Sequence, residues 1–89
     1  MAYNLVTDWE KLTELIQPIV EQAGYQLHKL DVVEEDNELL LQVVIDSSAG
    51  ISVDDCVLVT NQLNPVLDQN EALFNSAYIL DVCSKGMEE

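Results

Sequence analysis

The chain contains no arginine, and its only lysines are Lys11, Lys29 and Lys85. Nucleic-acid backbones are held by Lys and Arg that displace condensed counterions, so this shortage argues against direct RNA binding by the domain. Cysteine occurs twice, at Cys56 and Cys83. That spacing fits neither a zinc ribbon nor a CxxC redox pair, and both residues read as buried thiols of a reducing compartment. Gly24, Gly50 and Gly86 are isolated, which excludes a glycine-rich phosphate loop and the GxxG loop of an RNA-binding KH domain. No apolar run approaches the ~20 residues of a membrane span, and the N-terminus lacks the basic start and apolar segment of a signal peptide. The expected location is the cytoplasm.

Catalytic chemistry is also missing. His28 is the only histidine, and on an alternating strand it reads as a partly buried packing residue rather than a general base. No nucleophile, base and partner converge from sequence, so neither enzyme activity nor a cofactor is expected. The acidic stretch from Glu35 to Glu38 lacks the spacing and the glycine of a calcium-binding EF-hand loop, and no metal site is expected.

What the chain has in abundance is negative charge: 17 Asp and Glu in 89 residues, for a formal net charge of −14. Such a surface favours a basic protein partner. The plainer alternative is that it only keeps a small domain soluble. Apolar residues make up 48%, enough for one globular core, although a chain of this length buries only roughly 60 to 65% of its unfolded surface.

The elements can be read in order. Thr7 and Glu10 fit a T-x-x-E capping box, which predicts a helix from near Asp8. Trp9, Leu12, Ile16, Ile19, Val20 and Ala23 form its apolar stripe. Pro18 should kink or split this helix, and Gly24 should end it. Tyr25 to Glu34 reads as a strand with His28, Leu30 and Val32 on one face and Leu27, Lys29, Asp31 and Val33 on the other. A polar connection over residues 35–38 then predicts a hairpin. In the next strand Leu39, Leu41, Val43 and Ile45 make the core face, against Leu40, Gln42, Val44 and Asp46. Asp46, Ser47, Ser48 and Gly50 supply the following turn. Ser52 caps a second helix with Asp54 and Asp55 in its first turn, where carboxylates meet the positive end of the helix dipole, and Ile51 can staple onto Cys56. Its stripe is Cys56, Val59, Leu63 and Val66 with Leu67, and Pro65 and Asp68 should close it. Leu73 and Phe74 are placed in a short helical turn under the sheet. Tyr78 to Ser84 is a third strand, with Leu80 and Val82 facing opposite to Ile79, Asp81 and Cys83. The expected fold is α+β, a two-layer α-β-β-α-β sandwich with both helices on one face of a three-stranded sheet.

Several blocks in this order and spacing carry a family likeness. They are Leu15-Ile16-Gln17-Pro18-Ile19-Val20-Glu21, Gly24-Tyr25-Gln26-Leu27, Val43-Val44-Ile45-Asp46, Gly50-Ile51-Ser52-Val53-Asp54-Asp55-Cys56, Pro65-Val66-Leu67-Asp68, and Tyr78 to Glu88. Together the chain resembles the N-terminal domain of the ribosome maturation factor RimP over nearly its whole length. The resemblance implies a KH type II-like arrangement and a non-enzymatic role in assembling the small ribosomal subunit. The implied partners are that subunit and one of its basic ribosomal proteins. It also implies a domain over residues 1–84 and a tail, 85–89, that begins the linker to a C-terminal small β-barrel absent from this chain. Lys85 stands where a proline is common in the family, and the full assembly role depends on whether such a barrel accompanies the domain.

On this reading the domain binds a basic ribosomal protein through an acidic surface, to which Asp31, Glu34, Glu35, Asp54 and Asp55 are the expected contributors. A self-associating or adaptor module without a ribosomal role is the alternative. Its candidate surface is the sheet face opposite the helices, carrying Leu27, Leu40, Val44 and Ile79.

Overall fold

The computed structural model describes residues 5–85. The elements come in the expected order: α1 (Trp9–Gln22), β1 (Gln26–Glu35), β2 (Glu38–Asp46), α2 (Val53–Asp68) and β3 (Ile79–Ser84), with a 3₁₀ turn at Glu71–Leu73 before the last strand. The tail expected at residues 85–89 lies, beyond Lys85, outside the described residues.

β2 is the middle strand of a mixed sheet, antiparallel to β1 and parallel to β3. Its Leu41, Val43 and Ile45 are fully buried. Leu41 aligns with Val32 and Leu80, Val43 with Leu30 and Val82, and Ile45 with Leu27 and Ser84. Leu12, Ile16 and Val20 from α1, and Cys56, Val59, Leu63 and Leu67 from α2, join this face in one apolar core. Each such side chain taken fully from water contributes roughly 1.5 to 3 kcal/mol, which is how a domain this small meets its ordering cost.

The turns follow from local chemistry. Asp36 and Asn37 take φ of 52° and 67°, the two left-handed residues of a type I′ hairpin turn, a conformation that Asp and Asn tolerate. Gly24 has φ +99°, and with Ala23 as the cap its N–H donates to the Glu21 carbonyl while the Tyr25 N–H donates to that of Val20. That is a Schellman stop, and it turns the chain from α1 directly into β1.

Other expectations are corrected. The α1 N-cap is Asp8, whose carboxylate accepts from the Lys11 N–H at 3.1 Å. Thr7 is diverted because the segment before the helix pairs with residues far along the chain: its N–H donates to the Leu73 carbonyl at 2.8 Å, and the Asn75 N–H donates to that of Leu5 at 2.7 Å. Leu5 and Val6 are thereby buried in the core. Trp9 is 38% exposed and outside the core, because the buried stripe is Leu12, Ile16 and Val20. Pro18 does not split α1; it lies on the solvent side, where the carbonyl its missing N–H leaves unpaired can be hydrated. Pro65 likewise lies within α2, and Leu67 rather than Val66 completes the buried stripe.

β1 departs furthest from the expected alternation. The pairing with β2 shifts between Leu27 and Lys29, so His28 is the extra residue of a β-bulge. A bulge inverts the alternation on one side of itself. Leu27 therefore packs on the core with Leu30 and Val32, and His28 is exposed rather than partly buried.

Because Leu12 is fully buried and Trp9 is not, Leu12→Ala is expected to cost about 3 kcal/mol and Trp9→Ala no more than about 1 kcal/mol in urea unfolding. A larger loss at Trp9 than at Leu12 would contradict this placement of α1.

Candidate functional site

The five acids expected to form one surface are distributed over the domain. Glu34 and Glu35 close β1 beside the hairpin turn, whereas Asp54 and Asp55 lie in the first turn of α2, which follows the other end of β2. The nine residues of β2 span roughly 27 Å at the usual rise per strand residue. The structure thus puts the two pairs at opposite ends of the sheet. Asp31 sits between them, exposed in mid-strand, its carboxylate accepting from the Val32 N–H at 2.8 Å.

Asp55 is committed to the fold. One carboxylate oxygen accepts from the Ser52 backbone N–H at 2.8 Å and the Ser52 hydroxyl at 3.1 Å, and the other accepts from the Tyr25 hydroxyl at 2.5 Å. The Ser52 backbone donor above all, then the Tyr25 hydroxyl, holds this carboxyl below the usual carboxylate range. In turn that hydrogen bond, followed by desolvation, raises Tyr25. The pair ties the start of α2 to the turn between α1 and β1. Asp54 is exposed, among the outward-facing Val53, Val57 and Leu58.

The outer sheet face is less apolar than expected. Register places Val33, Leu40 and Ile79 in one row, Asp31, Gln42 and Asp81 in the next, and Lys29, Val44 and Cys83 in a third. Val44 is fully buried and Leu27 belongs to the other face, leaving Ile79, 44% exposed, as the main apolar residue open to solvent. Cys83 is half-buried here, so only Cys56 is a buried thiol. Burial, with the Asp55 and Asp81 carboxylates, pushes the Cys56 thiol up and away from reactivity. Among the described residues no group of His, Cys, Asp and Glu is arranged to hold a metal ion, and no helix is long and apolar enough to cross a membrane.

A concavity among the described residues lies elsewhere. A cavity of about 470 Å³ is bordered by Asp68 at the end of α2, by Glu71, and by Phe74 and Tyr78, whose rings stack with centroids 4.3 Å apart. A second, of about 320 Å³, adjoins it across Ser76, Ala77 and Tyr78 and reaches Asn37, Glu38 and Leu39 at the hairpin. This groove runs along the same end of the sheet as Glu34 and Glu35. No motif in the sequence marks this groove, and its one local signal is Asp68, a carboxylate at the negative end of a helix that has no basic residue in its last turn.

The model of the RimP N-terminal domain family matches residues 15–88, from the middle of α1 through β3.

The depressed Asp55 carboxyl contributes stability that is complete above the unfolded carboxylate value, about 3.9, and is lost as pH falls through the lower folded value. Asp55→Asn should therefore lower the urea midpoint at pH 7, and the gap from the unaltered protein should close below about pH 4. A gap that stays constant down to pH 2 would show that the charge of Asp55 plays no part.

Proposed function

The chain belongs to the RimP N-terminal domain family, whose role in maturation of the small (30S) ribosomal subunit is non-enzymatic, and from that premise we propose that this domain docks a basic ribosomal protein through its acidic surface. Association with the small subunit follows from the family. The observation that carries the finer reading is the net charge of −14 on a domain with only three lysines, a field that attracts basic proteins and repels RNA phosphates. Of the expected contributors, Glu34 and Glu35 at the hairpin end are assigned to docking. Asp31 and Asp54 add to the long-range field, and Asp55 mainly secures the start of α2. The outer sheet face supports self-association less well, since Asp31 and Asp81 lie beside its short apolar row and like charges would meet in a symmetric pair. On the same reading, residues 1–84 act as the docking unit and 85–89 lead toward a second domain.

Titrating the chain with purified small-subunit ribosomal proteins should give binding to at least one basic member that weakens between about 0.01 M and 0.15 M salt, as the screening length shrinks from about 30 Å to about 8 Å. If no basic member binds at low salt, or if binding is indifferent to salt, the acidic docking reading is wrong.

A further inference from the structure

We propose that the groove between the end of α2 and the β1–β2 turn is the slot for an arginine-bearing segment of a basic protein. The proposal rests on the docking reading above and says where on the domain the partner sits.

Four features converge on a cationic, planar occupant. Phe74 and Tyr78 form a stacked aromatic pair at the groove, with both residues half-buried. A guanidinium stacks on such rings, which an ammonium matches less well. Asp68 and Glu71 border the same cavity, and both are close enough to Tyr78 that, after burial, they add to the rise of its hydroxyl pKa. Carboxylates beside an aromatic face match the fork of arginine donors.

The third feature is an unfavourable placement that the helix itself does not explain. Asp54 and Asp55 lie at the positive end of α2, where its dipole stabilises them; Asp68 lies at the negative end, with no basic residue in the last turn. A bound cation would relieve that repulsion, and none of Lys11, Lys29 and Lys85 lines the groove. The fourth is continuity. The second cavity carries the groove to Glu38, which pairs directly with Glu35 across the hairpin. Two like charges held opposite each other are destabilising, and an extended segment anchored at Asp68 and Glu71 can bring a further cation to them.

The probe is a synthetic octapeptide of alternating arginine and serine, added to the full chain and followed by backbone amide shifts in NMR. Shifts should concentrate at residues 68–80 and 37–39. The double variant Asp68→Asn, Glu71→Gln should weaken the peptide roughly tenfold, whereas the charge-matched pair Glu10→Gln, Glu14→Gln on α1 should change it less than about twofold. The same peptide with lysine for arginine should bind several-fold more weakly. Equal weakening by the two pairs, or shifts spread over α1 and the outer sheet face, would mean that only net charge matters and would overturn the groove. All four acids are exposed, and thermal melts of both variants identify any loss that comes from unfolding.

The two proposals fail differently. If the peptide occupies the groove but no small-subunit ribosomal protein binds, the slot stands and the ribosomal partner is wrong. If a ribosomal protein binds with salt dependence yet loses no more affinity to the groove pair than to the α1 pair, the partner stands and the slot is wrong.

Discussion

Everything in this domain depends on the enclosure of β2. Its backbone is hydrogen-bonded on both edges, to β1 running antiparallel and to β3 running parallel, and Leu41, Val43, Val44 and Ile45 are fully buried. A one-residue slip would exchange its faces, sending Leu41, Val43 and Ile45 away from both helices. That single register therefore determines which side chains of the two outer strands meet the core. It also forces a long connection, because a parallel neighbour cannot be reached by a tight turn. α2 fills that connection, and its length carries the chain from one end of the sheet back to the other.

This return path sorts the acids into two kinds. Those at the start of α2 serve the helix: Asp55 accepts from Ser52 and Tyr25 and joins α2 to the end of α1. Those at the opposite end have no such local account. Glu35 faces Glu38, and Asp68 closes a helix whose dipole disfavours it. On the proposed reading, negative charge held against local energetics, next to a cavity with an aromatic wall, serves what binds there rather than what folds there. The family's small-subunit role is what makes a basic ribosomal protein the occupant proposed for that end.

Much of the fold was legible in sequence. The Leu12-Ile16-Val20 stripe, the Ser52 helix start, the turn at Asp36 and Asn37, and the alternation of β2 and β3 were all readable, as was the Gly24 stop. The misreadings have separate causes. Thr7 has helix-start character, but the strand-like pairing of residues 5–7 with residues 73–75 claims it for another purpose, and Trp9, although first in α1, lies off the stripe that Leu12, Ile16 and Val20 bury. Leu27 was assigned to the wrong face because a bulge at His28 changes the phase of β1, and the competing period-two set of Leu27, Lys29, Asp31 and Val33 masks that change in the sequence.

Sequence alone determined the element order, the sign and size of the charge, and the family. These are either local properties, set by residues within a turn or two of each other, or sums over the whole chain. Only the tertiary structure decided which acids share an end of the sheet, that Asp55 is engaged by Tyr25 thirty positions away, and that Phe74 and Tyr78 meet Asp68, Glu71 and the hairpin in one groove. The physical reason is that adjacency across a sheet depends on register and on the path of the crossover helix, and neither is encoded by any one segment.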